Sequence, residues 1–374
     1  MVTRVDRTKA KLFIGLVTVC LAACNAVHAY SHYHCSNNDR NIRWSDHNVN
    51  WRAGKNSFAS TAWRNALTTA NSRWNEAPGD FTFGIRNWGE KYVGRSNSQN
   101  EIWFSSKSSL LDGAPAICYW RYYCAGTSHK MLEADIIFNT NVSWSTTDTQ
   151  SNKTPYGGSL RPWGATALHE MGHALGLGHV NYTYNIMGQD WNHIHANNGI
   201  VRHYVGEDAG HGAVHLYGRT KTTHKNDVAV THWKYRDAGG EYSRHEPCRV
   251  YHNDNTAVAR EDFNGFKRYL VKAGQTYKAE FTFENNGYYD QSGVNVAHYI
   301  STNDNITTAD TRIRTGTMTL NRNKVYTTTH TVSIPADLTV GQTYYLGVIV
   351  DYTGSITEFA ENNNSTYLPI RIIP

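Results

Sequence analysis

The chain has 374 residues, of which 40% are hydrophobic and 12% aromatic, and its formal net charge is +5. This length allows two domains of ordinary size, and the composition is typical of a globular protein rather than of a disordered segment or a coiled coil. Lys and Arg form no block beyond the N-terminal segment, so the charge gives no support for a nucleic-acid partner. Histidine is abundant, with 19 residues, which indicates metal chemistry or pH sensitivity.

The N terminus has the pattern of an export signal. A basic segment, MVTRVDRTKAK, precedes an apolar run, LFIGLVTVCLAA, that is too short to span a bilayer. We therefore predict a signal over residues 1–29 and an exported protein, with two cleavage sites left open. The sequence LAAC, ending at Cys24, resembles a bacterial lipoprotein box, which would lipidate Cys24 and anchor the protein to the outer membrane. The sequence VHA, residues 27–29, resembles an ordinary cleavage site that releases a secreted protein beginning at Tyr30.

The cysteines are expected to form disulfides in an oxidising compartment. Cys118 and Cys124 flank the short stretch YWRYY, and we predict a local disulfide loop between them. Cys35 and Cys248 then form a second candidate pair by elimination, although the sequence does not determine the connectivity.

Helix and strand patterns share the first part of the chain. Hydrophobic residues at helical spacing predict a helix over 56–76, which Ser57 can cap and Pro78 ends. Short apolar runs follow, and then two further helices, the last closed by Gly218. The predicted strands are 81–85, 101–105, 114–120 and 134–139, and the predicted later helices are 163–176 and 207–217. One helix, several strands and two helices are typical of a compact α+β domain, here over residues 30–218.

The composition changes after this domain. Residues 219–226, RTKTTHKN, are polar and predict a linker. Beyond them, clusters of β-branched and aromatic residues separated by turn-rich pieces predict only strands, which are 227–233, 276–284, 294–300, 325–334 and 344–351. Short strands at such spacing favour an all-β sandwich over residues 227–374.

The stretch HEMGHALGLGH, which begins at His169, carries the strongest chemical signal. On a helix, His169 and His173 lie one turn apart on the same face, so both imidazoles can bind one metal ion. Glu170 adjoins the first ligand, and its carboxylate can act as a base without ligating the metal. Gly176 can break the helix by adopting a positive φ, which lets the chain return His179 as a third ligand. Three nitrogens with one open position are the arrangement of catalytic zinc.

Two less specific interpretations compete with this one: a histidine-rich amphipathic helix and a purely structural zinc site. The glycine break, the third histidine and the later Met187, in NIMG, argue together against coincidence. The pattern HExxHxxGxxH with Met187 resembles the metzincin zinc endopeptidases, and most closely their matrixin branch. Residues 58–74 and 206–218 resemble the first and last helices of matrixin catalytic domains.

This resemblance implies an α+β metzincin domain, a twisted mixed sheet with three helices. It implies one catalytic Zn²⁺ on three histidine ligands, which are His169, His173 and His179. Glu170 would be the general base and acid, and Met187 an apolar floor. A protein or peptide substrate would bind along an edge strand, for which we choose 114–120. Gln189 stands where some metzincins carry a tyrosine ligand, so no tyrosine ligand is expected.

The C-terminal segment resembles the bacterial adhesion-related CARDB modules, which are immunoglobulin-like sandwiches. The resemblance is carried by the motifs VKAGQTY, FENNG, YISTND and YLGVIVD. It implies attachment or substrate docking through a cell-surface or extracellular ligand, and a stabilising appendage without a ligand is the alternative. Ca²⁺ is a further candidate cofactor, at Asn139 and Asn141 or at Asp304 and Asp310, although both pairs supply few carboxylates.

Two functions of different classes follow from these patterns. The first is an exported zinc endopeptidase, and the second is a surface adhesin or binding lipoprotein with a structural or vestigial zinc site. Glu170 favours the first, because a non-catalytic site has no chemical use for a carboxylate at that position. Hydrolysis of a non-peptide bond is a lesser enzymatic alternative.

Overall fold

The structure is a computed structural model that describes residues 2–3, 30–35, 40–125, 128–219 and 226–374. The predicted export signal lies outside the described residues apart from Val2–Thr3, and so do Cys24 and residues 220–225 of the predicted linker. Within the described part of the chain, no helix is long and apolar enough to cross a membrane.

The N-terminal domain packs a mixed sheet against helices. Its strands are β1 (Asn48–Gly54), β2 (Thr82–Glu90), β3 (Glu101–Ser105), β4 (Ala116–Ala125), β5 (Ser128–Asn139), β6 (His195–Asn197) and β7 (Ile200–Arg202). Its longer helices are α1 (Thr61–Glu76), α2 (Trp163–Leu175) and α3 (Gly206–Tyr217). The main sheet has the order β4-β5-β3-β1-β2, in which β4 is antiparallel to β5 and the other pairs are parallel. The prediction of an α+β domain is confirmed.

Helix α1 begins later than predicted because a different serine caps it. Ser60 has an extended backbone, and its Oγ accepts a hydrogen bond from the backbone N–H of Trp63 at 3.4 Å. That bond satisfies one of the N–H groups that the first turn leaves unpaired. The hydroxyl of the predicted cap, Ser57, instead accepts the N–H of Phe104 on β3.

Helix α2 lies in the core of this domain. Almost all of its residues are buried between α1 and the sheet, and the indole N–H of Trp74 on α1 donates to the carbonyl of Leu168 at 3.1 Å. The helix ends at Leu175, and Gly176 adopts a φ of 105°. A residue with a Cβ would be strained in that conformation, so glycine allows the chain to turn at this point.

The C-terminal domain consists of strands alone. They are β8 (Val228–Thr231), β9 (Trp233–Gly239), β10 (Tyr242–Pro247), β11 (Val250–Tyr251), β12 (Arg260–Phe263), β13 (Phe266–Lys272), β14 (Thr276–Asn285), β15 (Gln291–Ser301), β16 (Thr311–Leu320), β17 (Val325–Ser333), β18 (Thr343–Val350) and β19 (Ser365–Ile373). In one sheet β14 pairs with β17, β8 and β11, and the other has the order β12-β13-β19-β18-β15-β16. A common apolar core links the two sheets. The prediction of an all-β second region is confirmed.

Strands β9 and β10 form a hairpin that belongs to neither sheet of the sandwich. We call residues 233–247 the cleft hairpin, because it extends towards the N-terminal domain. Gly239 pairs with Tyr242, so Gly240 and Glu241 form its two-residue turn. The sequence patterns predicted a single strand over 227–233 at this place and missed the hairpin.

The cysteine pairing differs from the prediction. Cys35 is bonded to Cys124, with a Cα–Cα distance of 5.9 Å, while Cys118 and Cys248 are free. The predicted Cys118–Cys124 bond is wrong because both residues lie on β4. An extended strand rises about 3.3 Å per residue, which separates them far beyond the roughly 7 Å that a disulfide can bridge. The alternative bond between Cys35 and Cys248 is wrong because Cys248 is buried in the core of the sandwich.

Buried polar contacts join the two domains. The carboxylate of Glu284 on β14 lies 3.2 Å from Nε2 of His193 and 3.2 Å from Nε2 of His195, and all three side chains are fully buried. The first contact is a hydrogen bond, and the second is an ion-pair contact without hydrogen-bond alignment. Nearby, Thr231 Oγ1 donates to the carbonyl of Ile194 at 2.8 Å. The sandwich therefore packs directly against the segment that follows Met187.

Candidate metal centre and substrate cleft

Three histidine side chains converge at the end of α2. His169 and His173 project from adjacent turns of the helix, and His179 follows the turn at Gly176. Nε2 of His173 lies 3.1 Å from Nε2 of His169 and 3.0 Å from Nε2 of His179. Of the His, Cys, Asp and Glu side chains in the described ranges, this is the group of three that is close enough to hold one metal ion.

The opposite ring nitrogens determine what this group can bind. Nδ1 of His169 and Nδ1 of His173 donate to backbone carbonyl oxygens 2.7 and 2.9 Å away, and Nδ1 of His179 lies 3.3 Å from a carboxylate oxygen of Glu241. Because those oxygens only accept, Nδ1 of His169 and Nδ1 of His173 carry the proton, and the nearby Glu241 carboxylate favours the same tautomer in His179, so each Nε2 presents a lone pair. Three acceptors so close together cannot satisfy one another. The site therefore fits a cation held by three nitrogens, as Zn²⁺ is.

Burial keeps the three rings neutral. It lowers the pKa of His169, and burial together with the neighbouring His169 lowers the pKa of His173 to about 3. Burial, followed by the charges of the other two rings, holds the pKa of His179 well below its ordinary value. Neutral imidazole is the form that ligates metals, so the protein holds all three residues ready for binding.

Glu170 lies beside the histidines and faces β4. It is only 6% exposed, and the backbone of Cys118 on β4 is close enough to its carboxylate to lower its pKa slightly. Burial, reinforced by the charge of Asp190, raises the pKa of Glu170 to about 8 in the metal-free protein. A carboxyl group that titrates near neutral pH is suited to accept and return a proton during a reaction.

The segment after His179 returns beneath the helix that carries the first two histidines. Met187 is 1% exposed, and its sulfur lies against α2 at Gly172. A backbone hydrogen bond from Val180 N–H to the carbonyl of Met187, at 3.4 Å, closes the loop between them. Met187 therefore lies against the helix that carries the first two histidines, and its role as an apolar floor stays a prediction.

A cavity of about 450 Å³ opens beside Glu170. Its wall combines Ala116 at the start of β4, His169 and Glu170 on α2, Trp191 in the loop after Met187, and Tyr242 on the cleft hairpin. The start of β4, the Glu170 carboxylate and one of the convergent histidines, His169, thus meet at one concave surface. Such a surface is where an extended peptide could place a side chain next to the metal centre.

A buried ion pair lies at this cavity. The guanidinium of Arg161 donates to Asp190 at 2.7 Å and, through Nε, to Thr166 at 3.0 Å, and the Thr166 hydroxyl donates in turn to Asp190. Burial raises the pKa of Asp190, but Arg161 and then His169 outweigh it and hold that pKa below its ordinary value. Asp190 is therefore ionised, and it fixes the loop that lines the cavity.

Sequence reasoning missed the residues of the cleft hairpin at this site. The ring of Tyr242 lies 4.2 Å from the ring of His179, centroid to centroid. The adjacent Glu241 faces Nδ1 of the same histidine. The dipeptide Gly239-Gly240 between two β-rich runs is a hairpin signal, but no local pattern indicates that the hairpin reaches the metal centre.

The predicted substrate strand lies at the edge of the sheet. Among the described residues, β4 pairs on its outer side only with Val2–Thr3, at Tyr122 and Tyr123. Within the described ranges, the rest of β4 therefore has an unpaired outer edge. An extended peptide can add to such an edge by backbone hydrogen bonds.

The residues considered for calcium form local turns. Asn139 accepts the N–H of Asn141 at 2.9 Å, and Asp310 accepts the N–H of Thr307 at 2.8 Å. These turns use the side-chain oxygens within the backbone, so the structure adds no support for Ca²⁺ at either place.

Family models match two parts of the chain. The matrixin model matches residues 43–218, and the CARDB model matches residues 265–367. A comparison with curated proteins finds no significant match. The convergent histidines lie inside the first matched segment, whereas the cleft hairpin lies between the two.

Similar solved structures include two of low overall likeness. A CARDB domain from Pyrococcus furiosus, described in complex with di-metal ions, is 16% identical with a TM-score of 0.25, and the match covers 41% of this chain and 94% of that one. The sporulation control protein of Bacillus subtilis is 15% identical with a TM-score of 0.20, and the match covers 34% of this chain and 49% of that one. The chain thus contains a segment that matches the matrixin family, followed by a segment that matches the CARDB family.

Proposed function

We propose that this protein is an exported zinc endopeptidase that hydrolyses peptide bonds in proteins or peptides. The proposal rests on one observation. Nε2 of His169 and Nε2 of His179 lie within 3.1 Å of Nε2 of His173, next to a buried carboxylate and a cleft. A purely structural metal site needs neither the carboxylate nor the cleft.

The residues divide the chemistry between binding and proton transfer. His169, His173 and His179 would hold the ion, with their rings fixed by the acceptors at Nδ1. When bound, Zn²⁺ would polarise the scissile carbonyl and make a water molecule more acidic. Glu170 accepts a proton from the attacking water at its carboxylate and then donates it to the nitrogen of the leaving peptide.

The substrate would lie along β4 in an extended conformation. Its backbone would pair with the outer edge of the strand near Cys118, which places the scissile bond beside Glu170. The backbone of Cys118 on β4 lies near the Glu170 carboxylate, which supports this position for the substrate. The side chain next to the scissile bond would enter the cavity.

The decisive experiment compares the purified protein with Glu170→Gln on a broad peptide library. This variant keeps the shape of the side chain but removes the base, so we expect kcat to fall by about 10²- to 10⁴-fold while zinc content stays unchanged. Glu361→Gln, at an exposed carboxylate in the C-terminal domain, should behave like the wild-type protein. Equal peptidase activity in the wild-type and Glu170→Gln proteins would favour the binding-protein alternative.

Export is part of the proposal and is supported by the disulfide. The Cys35–Cys124 bond is of a kind that persists in oxidising compartments and is rare in the cytosol. Mass spectrometry of the mature N terminus distinguishes the two cleavage sites. A lipid-modified Cys24 would indicate a membrane-anchored lipoprotein, an N terminus at Tyr30 would indicate a secreted protein, and an intact N terminus would contradict export.

A further inference from the structure

The cleft hairpin is the part of the molecule that neither matched family accounts for. Residues 233–247 lie between the matrixin segment, which ends at residue 218, and the CARDB segment, which begins at residue 265. The hairpin pairs with no strand of the sandwich, so the sandwich does not need it to complete a sheet. Lys234 on β9 pairs with Glu280 of the sandwich at 2.8 Å, but Gly240 and His245 contact the N-terminal domain.

Several hydrogen bonds hold the hairpin against the loop after Met187. The backbone N–H of His245 donates to the Gln189 side chain at 2.8 Å, and Nδ1 of His245 lies 3.0 Å from the Asn192 amide oxygen. The Asn181 amide donates to the carbonyl of Gly240 at 2.7 Å. Two of these contacts involve His245 on β10 and the third involves the backbone of the turn, so they fix where the hairpin lies.

The hairpin lies so close to Gly188 that a residue with a side chain would not fit at that position. At Gly188, directly after Met187, an added Cβ would lie 1.9 Å from Ser243 Oγ and 2.4 Å from the carbonyl oxygen of Val180. The hairpin therefore packs directly against the backbone at Gly188. The turn of the hairpin is thereby placed over the metal centre.

At its turn the hairpin meets the third histidine with two side chains. Glu241 Oε2 lies 3.3 Å from Nδ1 of His179, and the Tyr242 ring packs on the same imidazole with centroids 4.2 Å apart. A carboxylate that accepts from the outer nitrogen of a ligating histidine fixes the orientation of its ring and raises its basicity. His169 and His173 receive the same support from backbone carbonyls of the N-terminal domain itself.

The same turn also shapes the cavity. Tyr242, Trp191 and Ala116 all line it. Tyr242 is 43% exposed, so part of its surface remains accessible. Two aromatic rings and an alanine form a surface suited to a bulky apolar side chain of an extended peptide.

We propose that the cleft hairpin is a working part of the active site, supplied from outside both matched domains. Glu241 is a positioning residue that orients the metal ligand His179. Tyr242 is a specificity-determining residue that contacts a bulky apolar side chain of the substrate beside the scissile bond. This inference deepens the proposed peptidase function and rests on it.

The test uses the full-length protein and measures binding as well as cleavage. Glu241→Gln removes the carboxylate charge, and we expect the zinc dissociation constant, measured by competition with a chromogenic chelator, to rise about tenfold. Tyr242→Ala should weaken binding of phenylpropanohydroxamic acid by about tenfold but leave acetohydroxamic acid, which contacts little beyond the ion, unchanged. Tyr242→Phe should bind both probes like the wild-type protein.

Matched controls separate these effects from general damage. Tyr289→Ala removes a tyrosine of equal exposure, 42%, from the C-terminal domain away from the cleft, and Glu361→Gln neutralises an exposed carboxylate. Both should match the wild-type protein in zinc affinity, in hydroxamate binding and in the profile of cleaved library peptides. Only Tyr242→Ala should reduce the preference for bulky apolar residues in that profile.

The outcomes test the peptidase function and the role of the hairpin separately. If the wild-type protein binds zinc and both hydroxamates but cleaves no peptide, the peptidase function fails while the zinc and hydroxamate measurements still decide the role of the hairpin. If Glu241→Gln and Tyr242→Ala behave like their controls, the hairpin is only a neighbour of the site. A uniform gain of activity towards all peptides in Tyr242→Ala would also overturn the proposal, because it would mean that Tyr242 obstructs the cleft for every substrate.

Discussion

The two sides of the cleft differ in how the sequence builds them. On one side, His169, Glu170 and His173 lie on a single helix, and one glycine turn returns His179 to them. On the other side, Tyr242 lies on a hairpin that reaches the site only because distant segments pack together. The comparison indicates that a short motif determines the chemistry, whereas long-range packing determines the shape of the cleft.

The side of the cleft that the histidine motif builds, here called the motif side, should show the largest loss of activity when it is mutated. His173 is the central ring, with its Nε2 within 3.1 Å of both neighbours, so His173→Ala leaves only two nitrogens for the ion. We expect the protein to lose its zinc and its peptidase activity to fall by more than about 10³-fold. Zinc content and hydrolysis of a peptide substrate measure the two losses. His252→Ala, at an exposed histidine, is the control, and retention of stoichiometric zinc by His173→Ala would contradict the proposed ligand set.

The side of the cleft that depends on packing between the domains, here called the packing side, should show the next largest effect. That effect should be a loss of folding stability rather than of catalytic rate. Glu284→Ala removes the carboxylate between His193 and His195, all of them fully buried. Because it leaves buried polar groups without a partner, we expect the free energy of unfolding to fall by about 3–5 kcal/mol. Urea unfolding followed by tryptophan fluorescence measures the loss.

Glu361→Ala, at an exposed position, should change the same quantity by less than about 0.5 kcal/mol. A loss as small for Glu284→Ala would mean that the domains do not depend on this contact, and that the cleft hairpin is held by its own hydrogen bonds alone.

Much of the motif side could be predicted from the sequence because its information is local. Helical spacing placed His169 and His173 on one face, and the φ of 105° at Gly176 agrees with the expected break. The later methionine also lies under the helix. Helix α1 was predicted with the wrong cap, because Ser57 and Ser60 are equivalent in the sequence and only the contact of Ser57 with Phe104 distinguishes them.

The other side could not be predicted because its information lies in tertiary contacts. Cys118 and Cys124 are close in sequence but far apart on an extended strand, while Cys35 reaches Cys124 through the fold. The Gly239-Gly240 dipeptide indicates a hairpin, yet nothing near it specifies packing against Gln189 and Asn192. Where neighbours in space are distant in sequence, spacing rules give no guidance.

An intermediate effect is expected where the two sides touch. Gly188→Ala places a methyl group 1.9 Å from Ser243 Oγ and 2.4 Å from a backbone oxygen, so the hairpin must shift away from the loop. We expect a loss of about 1–3 kcal/mol in the free energy of unfolding, together with a weaker preference for bulky apolar residues in peptide cleavage. Gly94→Ala, where an added Cβ meets nothing within 4 Å, is the matched control. An unchanged cleavage profile in Gly188→Ala would separate the position of the hairpin from specificity.

A last effect should appear in how the domain contact responds to acid. His232, on the C-terminal side, is fully buried, with Nε2 3.0 Å from the Tyr156 hydroxyl and Nδ1 2.6 Å from the Thr366 hydroxyl. Burial, and then the charge of His195, lowers the pKa of His232 from 6.5 to about 3. The unfolded chain therefore binds a proton at this position well before the folded protein does.

It follows that the stability from neutral His232 is fully present above the unfolded pKa and is lost as the pH falls below it. The loss amounts to about 1.4 kcal/mol per pH unit until the folded pKa of about 3 is approached. Because residue 232 cannot titrate in His232→Gln, this variant should lack that slope, and its free energy of unfolding should fall less steeply between about pH 6 and pH 4. Urea titrations at several pH values measure the difference. His252→Gln, at an exposed histidine, should keep the wild-type slope. Equal slopes for the wild-type protein and His232→Gln would mean that water reaches His232, and that the contact between the domains is looser than its buried hydrogen bonds indicate.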